Sequence, residues 1–137
     1  MEQSSVKSFT LDLVYERSGG IAGFHHRLEV QGDSLHAFKR REQVAHRQLS
    51  EVELQALQAL VDAAKRAATP EDSAAARQAS DHFSLNIRLG RNDPPTLSIH
   101  RLALPGETPD GTAWGNLLAY CEMLLNRSLG TTPIVID

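Results

Sequence analysis

Two segments near the start of the chain alternate apolar and polar residues with the period of a β-strand. The apolar positions are Phe9, Leu11, Leu13 and Tyr15 in the first segment, and Ala22, Phe24, Leu28 and Val30 in the second, where His26 holds the remaining position of that face. A glycine-rich stretch joins them, so the pattern predicts a β-hairpin with one buried face. The turn sequence QGDS at 31–34 and the apolar residues after it predict a third, shorter strand.

The apolar period lengthens after Leu49, in the sequence LSEVELQALQALVDAAKRAA. Ser50 followed three residues later by Glu53 is a capping box, which predicts a helix starting there. The predicted buried face of this helix carries Leu54, Leu57, Leu60, Val61 and Ala64. Thr69 and Pro70 are expected to end it, with a small, polar loop following at 71–80.

Strands return in the second half of the chain. Residues 83–89 alternate cleanly, GRNDPP at 90–95 predicts a turn, and the apolar residues of 97–102 predict a further strand. A wide apolar stripe beginning at Trp114 then predicts a second helix that ends near Gly130. The tail TTPIVID at 131–137 fits either a short strand or an ordered extension.

This order of elements predicts an α+β fold. Strict alternation gives each strand one buried and one solvated face, which suits an antiparallel sheet of four to five strands with two helices packed on one face. The 137 residues match the usual size of one domain, so 1–137 is expected to form a single domain. Segments 1–7 and 131–137 are expected to be flexible or extended termini.

Charge and composition narrow the choice of partners. The formal net charge is −3, with acids and bases interspersed, which argues against nucleic acid or an anionic membrane as the main partner. The one basic run, AFKRRE at 37–42, is interpreted as a solvated loop or strand end. With neither a secretory signal nor an apolar run of about 20 residues, the chain is expected to be cytoplasmic. It is also expected to be a monomer.

No residue pattern in the chain indicates catalysis, a cofactor or a metal. The six histidines lack chelating spacing, and the adjacent pair His25 and His26 should point to opposite faces of a strand. Cys121 lies in an apolar run, where a buried small side chain is expected rather than a nucleophile. Because the usual nucleophile and nucleotide-binding motifs are absent, the chain is predicted not to be an enzyme.

The glycine-rich stretch VYERSGGIAGF at 14–24 resembles the signature of the emfourin-like proteins, which are small bacterial inhibitors of protealysin and related thermolysin-type zinc metallopeptidases. The likeness extends more loosely to the leucine-rich first helix, the DHFSLNI segment at 81–87 and the C-terminal helix. Only the RSGG-x-AG core is distinctive. The head at 1–8 and the tail at 131–137 depart from the family pattern.

The resemblance implies a tight, one-to-one complex that blocks the active-site cleft of a thermolysin-type metallopeptidase. The positions that match the motif, with the variable one between them, make up the expected peptidase-binding set: Arg17, Ser18, Gly19, Gly20, Ile21, Ala22 and Gly23.

Two roles for this set stay open. In the structural role, Gly19 and Gly20 adopt positive φ, Gly23 forms a bulge or permits a close approach, and Arg17 bonds within the fold. In the contact role, a rigid glycine-rich tip enters the peptidase cleft with Ile21 as its apolar anchor. The alternative function is a non-inhibitory intracellular adaptor that binds a partner protein through an exposed sheet edge or the hairpin tip. A small-molecule-binding domain is a third possibility.

Overall fold

The computed structural model describes residues 11–19, 24–68, 70, 83–89, 96–101 and 111–130. The strands in these ranges are β1 (Asp12–Gly19), β2 (Phe24–Gln31), β3 (Ser34–Lys39), β4 (Glu42–Gln48), β5 (Phe83–Leu89) and β6 (Thr96–Arg101). The helices are α1 (Glu51–Arg66) and α2 (Ala113–Leu129). The α+β prediction is confirmed. The expected flexible or extended termini, 1–7 and 131–137, lie outside the described residues.

The strands form one antiparallel sheet in the order β4-β3-β2-β1-β5-β6. The described residues therefore contain six strands rather than the expected four to five. The additional strand is β4, in the sequence EQVAHRQ, and most of its side chains are exposed. A strand at a sheet edge with little buried surface has no reason to alternate apolar and polar residues, so its sequence carries no period-2 signal.

The strand register brings the alternating apolar residues onto one face. Leu13 and Tyr15 of β1 lie between Val30 and Leu28 of β2 and, on the other side, Leu89 and Ile87 of β5. All of these side chains are buried. We call this covered surface the inner face of the sheet and the opposite one the outer face.

Both helices begin with the cap that their sequences require. The Ser50 hydroxyl accepts a hydrogen bond from the Glu53 amide while the Glu53 carboxylate accepts one from the Ser50 amide, which confirms the capping box. The Thr112 hydroxyl caps α2 by accepting a hydrogen bond from the Gly115 amide. Helix α1 ends at Arg66, before Pro70, and α2 ends in a left-handed Gly130, with φ 74°.

The two helices pack against each other on the inner face of the sheet. Trp114 is buried, as the apolar stripe predicts, and so are Leu57, Val61 and Ala64 of α1, whereas Leu54 and Leu60 are only partly covered. The buried apolar residues of the described segments, apart from Ala119, form one continuous core. Neither helix in these segments is long and apolar enough to cross a membrane.

Candidate functional site

The described residues of the RSGG segment, Arg17–Gly19, form the last part of β1 at one end of the sheet, which we call the hairpin end. The hairpin end comprises Arg17–Gly19 of β1, Phe24–His26 of β2, the β3–β4 turn at 39–42, and the neighbouring ends of β5 and β6. Gly19 pairs with Phe24 on one side and with Phe83 on the other. The last residue of β1 is thus fixed between two strands.

Three of the seven sequence-predicted site residues lie within the described segments. Arg17 points to the inner face and is buried, while Ser18 occupies the outer face opposite His25 and Ser84. Gly19 has φ 107°, a backbone conformation that residues with a side chain rarely adopt, so its predicted positive φ is confirmed. Gly20, Ile21, Ala22 and Gly23 lie outside the described residues.

Arg17 binds three side chains in the interior. Its Nη1 forms an ion pair with Glu122 of α2, its Nη2 donates to Asn126 Oδ1 at 3.0 Å, and its Nε donates to His26 Nδ1 at 3.1 Å. A buried charge is tolerated only when it is paired and hydrogen-bonded, and this arrangement meets both conditions. The structural role expected for Arg17 is therefore what the fold shows: it ties the end of β1 to α2 and β2.

Glu122 has a second partner in the same interior. The Tyr15 hydroxyl donates to Glu122 Oε1 at 2.8 Å, so both carboxylate oxygens accept a hydrogen bond from β1. Burial raises the pKa of Glu122, an effect that Arg17 and the Tyr15 hydroxyl oppose. Burial and the nearby carboxylate raise the pKa of Tyr15, which keeps its hydroxyl protonated as a donor.

His26 completes the group as a neutral imidazole. Its pKa falls from 6.5 to about 4, first because it is partly buried and then because Arg17, Lys39, His25 and Arg40 all place positive charge near it. The neutral ring leaves Nδ1 able to accept the hydrogen bond from Arg17. His25, its neighbour in sequence, faces the other side and lies 3.4 Å from Glu16. The opposite orientation predicted for the two histidines is confirmed.

The basic run of the sequence lies at the same end of the molecule. Lys39 pairs in register with His26, and the turn residues Arg40 and Arg41 connect β3 to β4. Lys39, Arg40 and Arg41 are all exposed. The interpretation of 37–42 as a solvated loop or strand end is correct for this turn, although the sequence alone did not place it beside the RSGG segment.

Two histidines that looked scattered in the sequence meet on the outer face. His36 and His46 are cross-strand neighbours whose rings stack with centroids 4.5 Å apart. Among the described residues, no cluster of three or more histidine, cysteine, aspartate or glutamate side chains is arranged to hold a metal ion. Cys121 is fully buried, and burial raises the pKa of its thiol, so it has the character of a core residue rather than a nucleophile.

No family model, no curated protein and no solved structure matches this chain. The case for its function therefore rests on the RSGG-x-AG motif and on the geometry that surrounds Arg17 and Gly19.

Proposed function

We propose that this chain is a proteinaceous inhibitor of thermolysin-like zinc metallopeptidases. It binds as a monomer to one peptidase molecule, in the cytoplasm, and blocks the active-site cleft with the hairpin end of its sheet. It acts as a ligand of the peptidase and not as an enzyme, and it uses no cofactor.

The observation that carries the proposal is the way the base of the RSGG segment is held. Arg17 is bonded to two other elements of the fold, and Gly19, with a φ of 107°, is paired on both sides. A binding segment that starts from a fixed base loses less conformational entropy when it enters a cleft, which favours tight binding. This arrangement supports a contact role for the residues that follow Gly19 and leaves the contact itself to experiment.

The alternative adaptor function has an observation of its own in the edge strand β4. Five of its seven residues are exposed, including Val44 at 40 %. β4 is an edge strand of the described sheet, and strand addition by a partner takes place at such edges. A lysine at an edge position is a common way to discourage strand addition, which makes Val44→Lys a specific probe of this surface.

A single assay tests the inhibitor function and locates its contact. Residual activity of a thermolysin-type peptidase is measured against concentration of the parent chain, Ile21→Glu and Val44→Lys, with a thermal melt of each variant. The inhibitor proposal predicts that Ile21→Glu weakens inhibition about tenfold or more, about 1.4 kcal/mol of binding, and that Val44→Lys inhibits like the parent. An inactive parent would refute the proposal. Loss of inhibition by a stable Val44→Lys would instead assign the contact to the β4 edge.

A further inference from the structure

The hairpin end carries a cluster of positively charged side chains, although the net charge of the chain is negative. A depression of about 570 Å³ lies there, lined by His25, His26, Lys39, Arg40, Arg41 and Glu42. The whole chain is acidic, at −3. Within the described residues, no ion pair joins Lys39 or Arg41 to a carboxylate. These two cations are therefore available to neutralise an external anion.

We propose that this depression binds an acidic segment of a partner protein, in which neighbouring carboxylates contact Lys39, Arg40 and Arg41. Guanidinium groups match carboxylates geometrically and bind them through two parallel hydrogen bonds, so a turn with two arginines suits this ligand. The identification of the partner as the peptidase rests on the function proposed above. The acidic character of the segment follows from the charges of the turn and does not depend on the proposed function.

The backbone of the turn is fixed in a conformation that its sequence does not favour. Arg40 has φ 55°, and its amide donates to the His25 carbonyl at 2.9 Å. Glycine or asparagine is the usual residue at positive φ in a two-residue hairpin turn, because a longer side chain costs energy there. An arginine at this position gives up some stability and supplies a cation that lines the depression, which is the pattern expected of a binding residue.

The charges around His26 agree with a positive potential at this end. Lys39, His25 and Arg40 each act to lower the pKa of His26, in addition to its burial and to Arg17. Arg17 itself is paired with Glu122, so the exposed cations of the turn are the ones that a ligand meets. A carboxylate bound among them would oppose their effect and raise the pKa of His26.

Two features of the described surface favour a short acidic protein segment over a nucleic acid. The depression involves the start of β2, the end of β3, the start of β4 and the turn between β3 and β4, which is a small area for a nucleic-acid footprint. At the opposite end of the sheet, Asp33, Glu51 and Asp62 line a second groove, where negative charge would repel an extended polyanion.

The test is a titration of the full chain with a short, end-capped peptide of consecutive glutamates, followed by NMR. The proposal predicts that amide shifts concentrate at 24–26 and 39–42, that the pKa of His26 rises, and that binding weakens with added salt. A single-stranded oligonucleotide of equal charge is the comparison. Tighter binding of the oligonucleotide than of the peptide would overturn the proposal in favour of nucleic acid.

Three variants make the result specific. Arg41→Glu is expected to weaken peptide binding about threefold to tenfold. Arg88→Glu makes the same change of charge at an exposed position of β5 outside the depression and should bind like the parent. Arg40→Gly relieves the positive φ, so it should melt at the same or a higher temperature than the parent and yet bind the peptide more weakly.

Equal peptide affinity of Arg41→Glu and the parent would refute the proposal, and so would the absence of any peptide binding. The titration contains no peptidase, so its outcome does not depend on whether the chain inhibits one. Inhibition without peptide binding would remove this inference alone, and peptide binding without inhibition would remove the inhibitor proposal alone.

Discussion

Glu122→Gln is the substitution that most directly tests how Arg17 is held in the interior. The change preserves the shape of the side chain and removes its charge, so the Arg17 guanidinium loses its buried counter-ion and keeps Asn126 and His26, both neutral. The side chains of Arg17 and Glu122 are 6 % and 4 % exposed, so water cannot replace the lost partner. Removal of one member of a buried ion pair costs about 3–5 kcal/mol.

We expect a loss of about 3 kcal/mol in the free energy of unfolding at neutral pH, near the lower end of that range, because the glutamine oxygen still accepts one hydrogen bond. For a domain of this size the melting temperature should fall by roughly 10 °C. Urea unfolding followed by the fluorescence of Trp114, the one tryptophan of the chain, measures the change.

Glu29→Gln is the matched control. It makes the same chemical change in the ion pair between Arg27 and Glu29, where the Nε–Oε2 distance is 2.8 Å and each side chain is 27 % exposed. Such a pair contributes only about 0–1 kcal/mol. The double variant Arg17→Met/Glu122→Leu removes both buried charges and should be more stable than Glu122→Gln. Equal melting temperatures for Glu122→Gln and Glu29→Gln would refute the reasoning about Arg17.

Three further predictions concern stability. Trp114→Ala should lower the free energy of unfolding by roughly 3–5 kcal/mol, because it removes a buried aromatic side chain. Trp114→Phe should lower it much less. Coincident calorimetric melts for the parent and Trp114→Ala would mean that this side chain is not part of the core. Gly19→Ala should lower the free energy of unfolding by at least about 1 kcal/mol, because Gly19 has a positive φ. Ser18→Ala, at the neighbouring residue, should leave it almost unchanged. Equal stabilities of the two variants in urea unfolding would contradict a strained backbone at Gly19. The free energy of unfolding of the parent should rise between about pH 4 and 6.5, because the unfolded state binds a proton at His26 that the native state does not. The variant His26→Gln should show a smaller rise over the same pH range. Equal slopes for the parent and the variant would show that His26 titrates normally in the native state.

Local patterns in the sequence predict most of this fold. The capping box at Ser50 and Glu53 fixes the start of α1, and the alternation of residues 83–89 identifies β5, because both signals depend on near neighbours in the chain. The strand β4 gives no such signal. Its side chains are largely exposed, and its position follows from pairing with β3.

The candidate site depends on contacts that are distant in sequence. Arg17 and Glu122 are 105 positions apart, so the sequence shows a lone arginine beside three glycines and, far from it, a glutamate in an apolar helix. A glutamate at an apolar helical position was the available signal, since a buried acid requires a cationic partner. Likewise, the sheet register alone brings the Lys39–Arg41 turn beside His25 and His26.

The most direct test of the proposed function is a stoichiometric titration. A thermolysin-type peptidase, at a concentration well above the expected dissociation constant, is mixed with increasing amounts of the chain, and residual activity is recorded alongside the mass of the complex and of the recovered chain. The account predicts a linear fall of activity to zero at one equivalent, a one-to-one complex and an uncleaved chain. Full activity at several equivalents, or progressive cleavage of the chain by the peptidase, would contradict it.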